Sequence, residues 1–416
     1  MSPADVAPEQ VRAAVADWTR QHWDPAMSLR EWRALLLDSG WAVPSWPDRW
    51  HGRGLPAWAD ELVGGELLRL GAVGTPVGSG TWLAAPTILA HGPDELRERL
   101  LRPTLTGEQT WCQLFSEPGA GSDLAGLSTS AVLDGDTWLI NGQKVWNTSA
   151  HHADLGMLLA RTDSSVPKHQ GITYFVLPMK QPGVEVRQLR QMNFHASFNE
   201  VFLTDARIPK DNVVGPVGQG WAAALTTLAY ERRFAALRRP SYSSASGLAL
   251  DEARAEADDH FATYSWYPQR AGRPDLVIDH ARAAGVADDP VIRQAIARLL
   301  TLHRVSVWTA ERARAVRALG ARPGAEGSIG KLAASNIARE SAKVHAMIAG
   351  AKGMLTGPDS ALGGVIAEVL MSVPGQSIAG GTDEIQKNIL AEKVLGLPGE
   401  VRVDKDIPFS QIQHRG

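Results

Sequence analysis

The hydrophobic period of this chain changes twice, and no other feature narrows its possible folds as much. Up to about residue 109, apolar residues recur at three- and four-residue spacing over 8–18, 28–37, 60–70 and 93–102. Pro8 suits a first helical position and Ser28 an N-cap, while Pro44, Pro47, Gly52 and Gly54 punctuate the pattern between helices. From about 110 to 217 the pattern shortens to alternating, β-branched runs at 128–133, 137–141, 155–161, 173–178, 184–189 and 200–204. Turns such as Asp134-Gly135-Asp136 and Pro182-Gly183 separate these runs, which predicts a compact antiparallel β-domain. Helical spacing returns at Gly218 and continues through 290–319, 329–348 and 383–395. The predicted class is α+β: an N-terminal helical domain (1–109), a central β-domain (110–217), a C-terminal helical domain (218–400) and a tail (401–416).

A chain of 416 residues, 44% hydrophobic and 21% charged, can bury more than one core. Its net charge of −3 offers no electrostatic case for nucleic acid. No stretch approaches the ~18 apolar residues of a membrane span. The N-terminus lacks the basic and apolar regions of a secretory signal. The single cysteine, Cys112, excludes an internal disulfide and fits a reducing cytoplasm; a packed, inert thiol is expected there. No metal site is expected.

Two stretches carry chemistry. Residues 111–123 read W-C-Q-L-F-S-E-P-G-A-G-S-D, an apolar segment ending in a turn with Gly119, Ala120 and Gly121, whose small size lets backbone amides approach a ligand. Residues 141–148 read N-G-Q-K-V-W-N-T, expected as a strand ending on Trp146, a flat stacking surface, and Thr148, a hydroxyl donor. Either alone is commonplace, since small-residue turns and core tryptophans abound. Together, in this order, they resemble the flavin-cradling signature of the acyl-CoA dehydrogenases. Further similarity lies in Gly171-Ile172-Thr173, Arg207-Ile208-Pro209, Gly218-Gln219-Gly220-Trp221 and the closing I-A-G-G-T-D-E-I-Q-K-N-I-L (378–390).

That resemblance implies an acyl-CoA dehydrogenase-like fold, bound FAD and oxidation of the Cα–Cβ bond of an acyl-CoA thioester to the trans-2-enoyl-CoA. Electrons would pass to an electron-transferring flavoprotein, or to oxygen in an oxidase of the same fold. A carboxylate must take the α-proton while a hydride leaves Cβ. Many relatives carry that carboxylate just before Gly-Thr in the closing motif, where this chain has Gly380. The long-chain and isovaleryl-type branch carries it on the helix after the β-domain, within a Glu-Arg pair, matched here by Glu231-Arg232. Glu231 is thus the expected base, with Gly380 leaving it room and Arg232 beside it. For the flavin, the resemblance implies Ser116 with the backbone of Gln113, Leu114 and Phe115 at the pyrimidine edge. Trp146 would lie against the ring system, Thr148 near N5, and Thr382 and Glu384 by the adenosine part. Ser122, after Gly121, would line the path of the CoA pyrophosphate arm.

The chain departs from the family in three places. The usual Arg-x-x-Phe-Gly, which reaches the FAD pyrophosphate across a subunit interface, is replaced by D-H-A-R-A-A-G (279–285). Arg282 and Arg293 are nearby cations but not at matching positions, and Pro290 falls where a Gln is usual. The familiar Gly-Gly-x-Gly is loosened to Gly350-Ala351-Lys352-Gly353. Residues 238–287 are the least family-like and read as an exposed insertion or a remodelled helix hairpin. The resemblance implies a homotetramer, or a heterotetramer with a homologous chain, as in the branch that degrades steroid side chains.

Overall fold

The computed structural model describes residues 6–234, 239–318, 326–401 and 404–412. They form two compact units: 1–189 with 197–263 and 403–416, and 190–196 with 264–402.

The first unit opens with helices α1 (Pro8–His22), α2 (Leu29–Asp38), α3 (Trp58–Arg69), α4 (Ala85–His91) and α5 (Asp94–Thr106). Pro8 occupies the first turn of α1, and Ser28 closes a capping box with Glu31 at the start of α2. Helix α5 runs past the 93–102 pattern to Thr106, with Pro103 inside it. The lost hydrogen bond is offset by burial of Leu101, Thr104 and Leu105, and the helix stops at Gly107, whose φ of 87° fits a left-handed cap.

A seven-stranded sheet follows: β1 (Trp111–Leu114), β2 (Ser130–Asp134), β3 (Thr137–Lys144), β4 (Leu155–Arg161), β5 (Ile172–Pro178), β6 (Val184–Leu189) and β7 (Phe198–Pro209). Strand order is β1-β4-β2-β3-β7-β6, with β5 also paired to β4. The sheet is not wholly antiparallel as expected, because β1 runs parallel to β4 and β2 meets β4 in parallel at Ser130 and Arg161. The reason lies in β4, whose seven residues are all buried. Its odd-numbered Leu155, Met157 and Leu159 face a core shared with α4, α5 and the helix after the sheet. Leu158 and Ala160 face the inner core of the sheet itself. A strand buried on both faces can take neighbours on both edges, and β1 completes it. Cys112 is fully buried in the inner core, and burial pushes its thiol pKa well up, as expected of an inert side chain.

Helix α6 (Gly220–Phe234) packs back on the sheet, and α7 (Leu248–Ala262) returns to the N-terminal helices. The stretch from 238 is therefore no exposed insertion in its first half. Leu250 and Ala253 join the core of α1–α3, Glu252 accepts from the Leu29 backbone at 2.7 Å, and Glu256 takes both guanidinium nitrogens of buried Arg33. Residues 404–412, expected as a tail, also belong to this unit and dock on the loop between β4 and β5.

The second unit holds α8 (Tyr267–Arg270), α9 (Val277–Ala283), α10 (Pro290–Ala318), α11 (Glu326–Ala349), α12 (Val365–Ser372) and α13 (Asp383–Lys393). Its core runs through Val277, Ile292, Leu299, Ile337 and Val344. Leu319, expected within α10, lies outside the described residues.

Candidate active site

The structure brings the two sequence motifs into contact. Val145 N donates to Ser116 O at 2.9 Å, Asn147 Nδ2 to Gln113 O at 2.8 Å, and Lys144 Nζ to Phe115 O at 3.1 Å. The segment after β3 is thus zipped along the end of β1. Trp146 and Thr148 are not on the strand as expected, since β3 stops at Lys144. Buried Val145 and Asn147 flank Trp146, so its side chain is turned outward and is 60% exposed. Its φ of 64° is a strained left-handed conformation for a bulky residue, of order 1–3 kcal/mol. Phe198 of β7 braces the indole edge, ring centroids 5.8 Å apart in a T-shaped contact.

Glu117, within the first motif, is the group that sequence reasoning missed. It is buried and binds Lys144 Nζ at 2.7 Å, Ser128 N at 2.6 Å and Thr129 N at 2.9 Å. Burial works against its charge, but Lys144 and these donors outweigh burial and hold its pKa at about 2. Glu117 N and O also exchange hydrogen bonds with Ala120 O and N, both 3.0 Å, closing the turn that carries Pro118 and Gly119. A Glu in one motif and a Lys in the other, opposite charges in two stretches expected to share a site, were the available signal. Gly119 and Gly121 are exposed, and a Cβ on either would meet no protein atom. The chain's own packing does not demand glycine there, whereas a close-fitting ligand would. Ser122 is exposed beside them.

Helix α6 carries Glu231. Thr227, one turn earlier on the same face, is buried between Tyr174 Oη of β5 (3.2 Å) and Thr87 Oγ1 of α4 (2.9 Å). That pin turns the face toward the sheet, and half-buried Glu231 receives a hydrogen bond from Gln113 Nε2 at 3.4 Å. The expected base therefore touches a residue of the expected flavin edge. The Arg232 side chain lies outside the described residues.

Gly380, Thr382 and Glu384 belong to the second unit. Thr382 caps α13, accepting from Ile385 N at 3.3 Å, and Glu384 is exposed in its first turn. Gly380 has φ of 68° and open space around a notional Cβ. Arg282 pairs with Asp279 at 3.4 Å and Arg293 with Asp288 at 3.6 Å, both on the surface. Among the described residues no His, Cys, Asp and Glu group could hold a metal, and no helix is long and apolar enough to cross a membrane.

Known proteins share this domain layout. The N-terminal, middle and C-terminal domains of acyl-CoA dehydrogenase match residues 2–108, 112–206 and 275–395, in that order. The acyl-CoA dehydrogenase IpdE1 of Mycobacterium tuberculosis is 35% identical over 379 residues, which span 90% of this chain and 89% of that protein. The acyl-CoA dehydrogenase FadE34 of the same organism is 35% identical over 395 residues, but this chain spans only 49% of its length. Among solved structures, the Tcur3481-Tcur3483 steroid ACAD superposes with a TM-score of 0.65 at 23% identity, covering 96% of this chain and all of that one, a likeness of fold. Three matched domains in sequence order, and a relative aligned along nearly its whole length, place this chain in the acyl-CoA dehydrogenase family of oxidoreductase enzymes.

Proposed function

We propose that this chain is one component of a heteromeric acyl-CoA dehydrogenase that holds FAD and oxidises a bulky, steroid-linked acyl-CoA. The observation that carries the flavin reading is Trp146, exposed in a strained turn and hydrogen-bonded through its neighbours to the Gln113–Ser116 edge. That set fits a flavin: a flat apolar face, backbone groups of Gln113 to Ser116 along one edge, and the Thr148 hydroxyl close by. FAD, when bound, supplies the acceptor for the hydride that leaves Cβ. Glu231, on the pinned face of α6, takes the α-proton. Ser122 and the open Gly119–Gly121 turn receive the CoA arm, and Thr382 and Glu384 serve the adenosine end. A base on α6 is the position that the long-chain and isovaleryl-type branch uses, and the contact of Glu231 with Gln113 supports this reading.

The heteromeric reading rests on what is missing and on what is exposed. Arg282 and Arg293, the candidates to take over the charge of the missing Arg-x-x-Phe-Gly arginine, lie on the surface paired with Asp279 and Asp288 and not at its matching position. On α10, Leu300, Val307 and Trp308 share a face, with Trp308 59% exposed, which suits burial against another subunit. The Tcur3481-Tcur3483 steroid ACAD and the ChsE4-ChsE5 complex of M. tuberculosis are each named for two chains. The expected assembly is a tetramer with a homologous chain, which completes the pyrophosphate site, and an electron-transferring flavoprotein takes the electrons.

Light scattering and flavin absorbance test this directly. Co-expression with a homologous partner is expected to yield a yellow tetramer whose flavin is bleached anaerobically by steroid-linked acyl-CoA more readily than by short fatty acyl-CoA. A monomer fully loaded with FAD and active alone would contradict the assembly. A colourless protein in both preparations would end the flavin reading. In the loaded protein, Trp146→Ala is expected to weaken FAD binding by ~1–3 kcal/mol, a roughly five- to 150-fold rise in Kd on flavin titration. Unchanged affinity would mean that the exposed indole serves something else.

A further inference from the structure

The segment 404–412 folds onto the β4–β5 loop through a set of contacts out of proportion to its length. Phe409 N donates to Val166 O and Ser410 N to Ser164 O, both at 2.9 Å, and Pro408 bridges to Pro167. Beneath it, buried Arg161 at the end of β4 spends its guanidinium on three carbonyls: Ala125 O at 2.7 Å, Leu127 O at 3.1 Å and Lys168 O at 3.1 Å. The buried Phe409 ring covers the guanidinium face, its centroid 3.5 Å from Cζ. Burial pulls the Arg161 pKa down to about 10, which leaves it charged at neutral pH. Beside it Lys168, largely buried, binds Asp123 at 2.8 and 3.0 Å and Asp404 at 2.6 Å. Burial opposes the Lys168 charge, but the two carboxylates prevail and raise its pKa.

These contacts converge on one place. Asp123 immediately follows Ser122, and Ala125 and Leu127, whose carbonyls Arg161 holds, lie two and four residues further along the chain. Gly119 and Gly121 have no protein atoms packed where a Cβ would be, so their turn gains little order from its own tip. On the one side Glu117 fixes it; on the other the fixing groups are Arg161 and Lys168, and both are completed by residues 404–412.

We propose that segment 404–412 is a strap that positions the Gly119–Ser122 turn for the CoA arm of the substrate, with Phe409 and Asp404 as positioning residues acting through Arg161 and Lys168. The inference rests on the acyl-CoA reading for its kinetic consequence, but its structural content stands apart. Without the Phe409 ring, water reaches the Arg161 guanidinium and competes with the Ala125 and Leu127 carbonyls. The turn then samples more conformations, and the substrate must order it on binding.

The test compares wild type with Phe409→Ala, Phe409→Trp and Asp404→Asn in the FAD-loaded assembly. Phe409→Ala is expected to speed amide hydrogen exchange selectively within 119–127, and to raise KM for acyl-CoA roughly three- to tenfold with kcat and flavin content unchanged. Asp404→Asn shifts both in the same direction by less, and Phe409→Trp, which keeps an aromatic face over Arg161, restores wild-type values. A lower melting temperature with exchange at 119–127 and KM both unchanged would overturn the strap and leave 404–412 a structural patch. If wild type itself is not reduced by any acyl-CoA, the proposed function fails, and the exchange measurement alone still decides the strap.

Discussion

Glu231→Gln is expected to leave FAD bound and to lower the rate of flavin reduction by acyl-CoA by about 10²–10⁴-fold, toward the upper end. The α-proton of a thioester is weakly acidic, and a flavin cannot take a hydride from Cβ unless a base receives that proton. Among the carboxylates of the first unit near the two motifs, Glu117 is consumed by Lys144, Ser128 and Thr129, and Asp123 by Lys168. Glu231 is half-buried and accepts a long 3.4 Å bond from Gln113, an amide that a substrate can displace. Gln at 231 keeps the size and the ability to accept from Gln113 but cannot take a proton. Anaerobic stopped-flow absorbance with a competent acyl-CoA separates the outcomes. Reduction at near wild-type rate would make Glu231 a packing residue of α6 and send the search for a base elsewhere.

The layout was open to a reader of the sequence because it depends on period. Helical spacing, alternation and helical spacing again specify which faces are apolar, and the seven-stranded sheet between two helical regions follows. What the period could not tell was partner choice. Strand β4 is apolar at nearly every position, so alternation is absent and its parallel pairing with β1 is decided by burial on both faces. The same limit hid the return of α7 to the N-terminal helices, which depends on Glu256 reaching Arg33 across 223 positions of sequence. At the candidate site, residue identity revealed the motifs, and the contacts between them are consistent with that expectation. Trp146 was legible as a stacking surface, yet its left-handed backbone goes with Val145 bonding to Ser116 and Asn147 to Gln113 on either side of it, which no local propensity encodes. Buried charge is invisible to a polarity pattern: Lys144 and Glu117 read as exposed residues in polar stretches, and each is hidden only because the other is present.

That mutual dependence gives the largest expected effect on stability. Lys144→Met should destabilise the first unit by about 3–5 kcal/mol, because it strands the Glu117 carboxylate in a site with a 0% exposed lysine pocket on one side and the sheet on the other. Phe115 O loses its Lys144 donor at the same time, so the end of β1 loosens where the flavin edge is expected. The double variant Glu117→Gln with Lys144→Met should recover part of the loss, since it removes the unpaired charge while the glutamine oxygen still accepts from Ser128 or Thr129. Urea unfolding followed by tryptophan fluorescence measures both. Acid titration gives the sign independently. The carboxylate is held at about 2 in the folded chain against 4.5 when free, so its contribution is complete above 4.5 and is lost as pH falls toward 2. That difference corresponds to about 3 kcal/mol. Without Lys144 the Glu117 pKa rises toward its free value, so the stability lost between pH 4.5 and 2 should shrink. A Lys144→Met protein with wild-type urea midpoint and an unchanged acid loss would show that the pair contributes nothing to stability, and that the first motif is held by Ser128, Thr129 and the Glu117–Ala120 turn alone.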